Sequence, residues 1–128
     1  MERRALQIAI GLAACVPVAG GLKGAWLGAR GFGVWPGGAA DSHFRYLSGL
    51  LLAIGLIYWA CIPAVERRRP LIRALTAIVV AGGLARLAGW LFLGGDPGSM
   101  RWALIMELGV APALCLWQAK VAARRAAI

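Results

Sequence analysis

The chain has 128 residues, 61% of them hydrophobic and 15% charged, with a mean hydropathy of +0.75 and a formal net charge of +9. A soluble domain carries about a quarter charged residues, so this composition excludes an ordinary water-soluble globule and points to the membrane. The positive excess does not mark a nucleic-acid partner, because no basic surface interleaved with aromatic residues stands outside the apolar runs.

Four apolar runs follow one another at about 5–22, 44–62, 74–93 and 102–119. Each is close to the roughly 20 residues that cross a hydrocarbon core about 30 Å thick. They leave no stretch for a second domain. The expected fold is therefore all-α: one polytopic membrane domain over residues 1–128, a four-transmembrane-helix bundle. The first run has a basic lead, Arg3 and Arg4, and small residues at Ala13, Ala14 and Ala19, which is the pattern of a signal peptide. Its length and the three runs after it favour an anchoring span instead. Pro17 removes a helical hydrogen bond and bends this span.

Residues 23–42 form the longest expected loop, rich in glycine but holding Trp26, Leu27, Phe32, Val34 and Trp35. Aromatic residues collect at the membrane interface, so a short amphipathic turn lying over the outer mouth is expected, as a cap or a gating lid. Asp41 or Ser42 is placed to cap the second helix. Asp41 and Arg45, four apart, can pair on one helical face. His43 and Tyr46, three apart, make a second polar face. That helix ends near Pro63, with Tyr58 and Trp59 at the inner interface. Pro70 suits the start of the third span, Gly94-Gly95-Asp96-Pro97-Gly98 a compact turn after it, and Ser99 the cap of the fourth, which carries Pro112 and ends in Gln118 and Lys120.

Small residues recur four apart: Gly11, Cys15 and Ala19; Gly49 and Ala53; Gly82 before Arg86; Ala103, then Glu107, Ala111 and Cys115. Helices in lipid gain little from apolar burial against each other, so close approach through small residues is expected to supply much of the packing. The stripes leave open whether one is reserved for a second copy. Cys15, Cys61 and Cys115 are isolated in the spans, without a C-x-x-C pair. One histidine and scattered carboxylates give no ligand spacing, so neither metal nor cofactor is expected.

Charge also sets topology. Arg3, Arg4, Arg67, Arg68, Arg69, Arg73, Lys120, Arg124 and Arg125 fall on one side of an even layout; Lys23, Arg30, Arg45 and Arg101 fall on the other, offset by Asp41 and Asp96. Basic residues concentrate in cytoplasmic loops, so both termini and the loop at 63–73 are expected to be cytoplasmic. There they meet anionic headgroups, worth about 1 kcal/mol per residue near such a surface.

The deepest polar signal is Arg86 with Glu107. Arg86 lies seven residues before Leu93, and Glu107 seven after Met100. At 1.5 Å per residue both are about 10 Å inside the boundary, so adjacent antiparallel helices bring them to one depth. An unpaired charge there costs several kcal/mol. Arg86 can snorkel past Trp90, but Glu107 is too short to do so and must be paired, protonated or open to a polar cavity. With Asp41 and Ser42 as a rim, His43, Arg45, Tyr46, Arg86 and Glu107 outline an outward-facing polar pocket. The plainer reading makes Arg86–Glu107 a structural pair that fixes helix register, which is weak evidence even for stability.

Asp41-Ser42-His43-Phe44-Arg45-Tyr46-Leu47-Ser48-Gly49, Gly82-Gly83-Leu84-Ala85-Arg86-Leu87 and the lone Glu107 resemble a family of small bacterial four-helix membrane proteins known as a domain of unknown function. The resemblance runs from Glu2 to about Arg125. It implies four spans and a bacterial inner-membrane location, and it carries no catalytic mechanism.

Three functions fit these residues. The first is a binding or permeation module for a small anionic or amphipathic, lipid-like ligand. Arg45 and Arg86 would hold the anion, His43 and Tyr46 would donate hydrogen bonds, and Glu107 would orient Arg86. The second is a structural or accessory subunit that meets a larger membrane partner, or a second copy, through the small-residue stripes and the Trp26–Trp35 loop. The third is an intramembrane enzyme on a lipid-like substrate, with His43 or Glu107 moving a proton. It lacks a nucleophile beside a base, because Ser42 and Ser48 lie in no catalytic string.

Overall fold

The computed structural model describes residues 1–94, 98 and 100–127. The chain is all-α. Helix α1 covers Glu2–Leu27 and runs into a 3-10 turn at Gly28–Phe32; α2 covers Gly38–Cys61, followed by a 3-10 turn at Ile62–Ala64. Helix α3 covers Arg69–Leu93. The last stretch is α4 at Met100–Ile105, a π-helical turn at Met106–Val110 and α5 at Ala111–Ala126. Among the described residues four helices are long and apolar enough to cross a membrane: Glu2–Phe32, Gly38–Ala64, Arg69–Leu93 and Arg101–Ala126. The expected turn through Gly95, Asp96 and Pro97 and the Ser99 cap lie outside the described residues.

The chain divides into two compact units, Ile10–Ala60 and a second made of Met1–Ala9 with Cys61–Ile128. In the first, α1 and α2 run antiparallel and meet at glycines. A Cβ on Gly21 would stand 2.5 Å from the Leu52 nitrogen, one on Gly24 would collide with the Ser48 side chain, and one on Gly55 would lie 2.6 Å from Val18. Trp59 donates its indole N–H to the Gly11 carbonyl at 3.1 Å. The helices therefore close on Gly21, Gly24 and Gly55, not on the Gly49 of the expected stripe, where a Cβ would meet nothing within 4 Å. Four-residue spacing identifies small residues on one face but not which face is turned inward.

In the second unit, Leu6, Val65, Ile72, Leu75 and Val121 are buried. The connection from α2 to α3 is held by side chains. Pro63 and the 3-10 turn leave carbonyls without helical partners, and three distant residues supply donors. Arg3 Nη2 reaches the Pro63 carbonyl at 2.8 Å, Gln7 Nε2 that of Ile62 at 2.7 Å, and Gln118 Nε2 that of Val65 at 2.7 Å. Pro70 sits in the first turn of α3, where its missing N–H removes no helical bond.

Candidate functional site

Along α3, Ile72, Thr76, Val79, Gly83, Arg86 and Trp90 follow one another at steps of four and three, which keeps them on one helical face. Ile72, Thr76 and Gly83 are buried on that face. Gly83 is the point of closest approach: a Cβ there would lie 2.8 Å from Glu107 Cβ and 2.9 Å from Leu108 Cδ2. Three residues on, Arg86 therefore emerges beside the π-helical turn that carries Glu107.

The π turn has a covalent cause. Pro112 has no N–H to offer the Leu108 carbonyl four residues back, and its ring crowds that carbonyl. The turn widens, and the Ala111 N–H donates to the carbonyl of Met106, five residues earlier. Such single π turns inside α-helices occur often at functional positions.

Across this approach Arg86 Nε donates to Glu107 Oε2 and Arg86 Nη2 to Oε1, each at 3.1 Å. Two parallel bonds between a planar fork and a carboxylate are the strong form of this pairing. The pair is not sealed. The Arg86 side chain is 37% exposed and that of Glu107 17%, so the chain's own helices leave the outer edge of the guanidinium uncovered.

The second arginine on a helical face has other duties. Arg45 Nε donates to Asp41 Oδ2 at 2.8 Å, while its Nη1 donates to the carbonyls of Trp26 at 2.6 Å and Ala25 at 3.2 Å. These are carbonyls of the last turn of α1, which lack helical partners. Asp41 Oδ1 accepts the Ala29 N–H at 2.9 Å. Gly28, at φ 65°, carries the chain past these side chains; a Cβ there would collide with Asp41. The helix begins at Gly38, three residues before Asp41, so Asp41 does not cap its own helix as expected. It secures the end of the preceding one. Ser42 is exposed on the same turn.

His43 and Tyr46 are exposed, their ring centroids 6.5 Å apart and their planes 29° from parallel. Near the end of α1, Lys23 lies 4.7 Å above the Phe32 ring, and in the segment that follows, Arg30 lies 5.0 Å above that of Trp35. The structure thus places His43, Arg45 and Tyr46 in the unit Ile10–Ala60 and Arg86 and Glu107 in the other. Among the described residues no group of three His, Cys, Asp or Glu side chains is placed to hold a metal ion.

Sequence reasoning missed Gln7 and Gln118. Gln118 is fully buried, and its Oε1 has no hydrogen-bond partner. An amide inside an apolar run was the available signal, since a buried amide is retained only when it has backbone groups to satisfy.

Among the described residues, four long apolar helices in an all-α architecture define a multi-pass membrane protein. The family model described as Domain of unknown function (DUF4345) matches residues 5–118, and the chain belongs to that family. No curated protein and no solved structure matches the chain.

Proposed function

We infer that this protein is a membrane-embedded binding or permeation module for a small anionic or amphipathic, lipid-like molecule, with Arg86 and Glu107 as its polar centre. The observation that carries this reading is the open, two-point ion pair in an apolar span. A fully enclosed pair would pay the desolvation of both charges and leave no edge for a ligand. Here the guanidinium keeps an accessible edge, and among the described residues it donates to Glu107 alone. Arg45 does not share this role readily, because Asp41 and two carbonyls already occupy it. His43 and Tyr46 remain available for hydrogen bonding at the start of α2. The basic clusters at the helix ends support cytoplasmic termini and a cytoplasmic loop at 63–73, in a bacterial inner membrane.

The test is native mass spectrometry of protein extracted together with its surrounding lipid. The reading expects an adduct of defined mass that survives mild activation, is lost in Arg86→Gln and persists in Arg45→Gln. Protein that carries no adduct in any mild extraction, or none whose retention depends on Arg86, contradicts it.

One observation favours a second reading, a subunit that packs against another membrane chain. On α3, Ala81, Gly82 and Ala85 are exposed, and a Cβ on Gly82 would meet nothing within 4 Å. A close helix–helix contact in lipid is built from such a face. Disulfide crosslinking from Gly82→Cys in whole membranes distinguishes a copy of the chain, a different protein or no neighbour.

A further inference from the structure

At the other end of α3 from the Arg86 pair, a cavity of about 610 Å³ is lined by Arg3, Pro63, Ala64, Glu66, Arg67, Ala122, Arg125 and Ala126. Its volume falls within the roughly 300–1,000 Å³ of small-ligand sites. Arg69 to Arg86 spans about 25 Å of helix, so the cavity is independent of the site proposed above.

Its walls are fixed by the same contacts that hold the α2–α3 connection. Arg3 is tied to the Pro63 carbonyl through Nη2, and its Nε lies 2.7 Å from Glu66 Oε1. That Nε is close to the carboxylate but poorly aligned with it, and it makes no hydrogen bond. Arg125 Nη1 stands 3.3 Å from the same Glu66 oxygen. Glu66 is mostly covered, its side chain 16% exposed. Arg67 is exposed and has no ion-pair partner among the described residues. Outside the cavity, Glu2 is occupied by Arg124 at 2.8 Å.

Three guanidinium groups therefore line a cavity with one carboxylate. Glu66 holds two of them in place but cannot neutralise all three. Two positive charges remain at the polar end of an apolar helix array, where a bound oxyanion would be favoured. Arginine forks match phosphate oxygens in pairs, and basic pockets at the ends of membrane helices suit phosphate headgroups.

We propose that the cavity bounded by Arg3, Glu66, Arg67 and Arg125 is a binding site for the phosphate of an anionic membrane lipid. Arg67 and Arg125 contact the phosphate oxygens, Glu66 sets the position of Arg3 and Arg125, and the lipid tail follows the adjoining apolar helix surface. A free phosphate shares the headgroup chemistry but lacks the tail that would hold it there.

The test uses the full chain in nanodiscs of phosphatidylcholine doped with phosphatidylglycerol, read as lipid retained per chain by native mass spectrometry after mild release. Arg67→Gln and Arg125→Gln should each reduce retained phosphatidylglycerol by about tenfold, the loss of one charge-assisted contact. Arg4→Gln and Lys120→Gln remove the same charge outside the cavity and should change retention by less than about twofold. Arg67→Lys and Arg125→Lys should restore most of the binding, which separates lost contact from lost fold; unchanged melting of the Gln variants checks the same point. Inorganic phosphate at millimolar concentration should not displace the lipid. Equal losses in cavity and control variants would overturn the site, as would retention insensitive to all four. Displacement by phosphate alone would overturn the lipid assignment.

Discussion

Arg45 and Arg86 are both arginines four or fewer turns from the end of an apolar helix, and both face a carboxylate, yet their surroundings differ. In the unit Ile10–Ala60, Arg45 serves Asp41 and the carbonyls of Ala25 and Trp26, and Asp41 in turn serves Ala29. Its Nε and Nη1 are thus taken up by Asp41 and by the last turn of α1. In the other unit, Arg86 meets Glu107 across a glycine approach and a π turn, with an edge left open. Residue type therefore does not assign the role. The number of acceptors already held does, because a guanidinium with its donors used locally has little left for a ligand.

The comparison is most easily broken at Gly83. Gly83→Leu forces a side chain into space that Glu107 Cβ and Leu108 already fill. Overpacking of this kind costs typically about 1–3 kcal/mol, and it should also separate Arg86 from Glu107. The expected outcome is a large loss of thermal stability in detergent, or no extractable protein. A variant that melts like the parent would mean that α3 does not approach the π turn there.

A smaller effect is expected at the other arginine. Asp41→Ala leaves Arg45 without its counter-charge and the Ala29 N–H without its acceptor, a loss of about 1–3 kcal/mol. The damage should be local: faster proteolysis and amide exchange at residues 28–34, with ligand retention at Arg86 unchanged. If exchange rises evenly across the chain, Asp41 does not act as the fastener of that connection.

The smallest effect belongs to Gly82, one residue from Gly83 but facing open space. Gly82→Ala should leave the fold intact and gain up to about 1 kcal/mol of helix propensity. A marked loss would show that this face is covered by another chain in the membrane, which melting in dilute detergent compared with native membranes would reveal.

The spans were legible because a run of apolar residues has one explanation at this length, and counting at a fixed rise set Arg86 opposite Glu107, where the ion pair is found. The packing faces were not. Gly49 and Gly82 belong to regular small-residue stripes, but the contacts are made by Gly21, Gly24, Gly55 and Gly83. Which face turns inward depends on partners far along the chain, and a local period carries no such information. Helix limits failed for a similar reason. α1 runs to Leu27 and α2 begins at Gly38, well inside the expected loop, because helical hydrogen bonding continues past the apolar runs by which the limits were drawn. Asp41 looked like a cap for α2 because it stands near the start of the apolar run. Its use by Ala29 and Arg45 depends on the turn at Gly28, which no spacing rule reports. Gln7 and Gln118 gave no signal beyond their polarity.

Whether Arg86 and Glu107 act as one polar centre is tested most directly by a two-by-two comparison of Glu107→Gln, Arg86→Gln and the double variant. A carboxyl can be neutralised by a proton, whereas a guanidinium stays charged, so Glu107→Gln strands its partner more severely than Arg86→Gln. Measured as thermal stability at neutral pH in one detergent, Glu107→Gln should lose more than Arg86→Gln, and the double variant less than the worse single. The interaction term should be about 1–2 kcal/mol. Losses that simply add, with no interaction term, would mean that the two side chains do not act together.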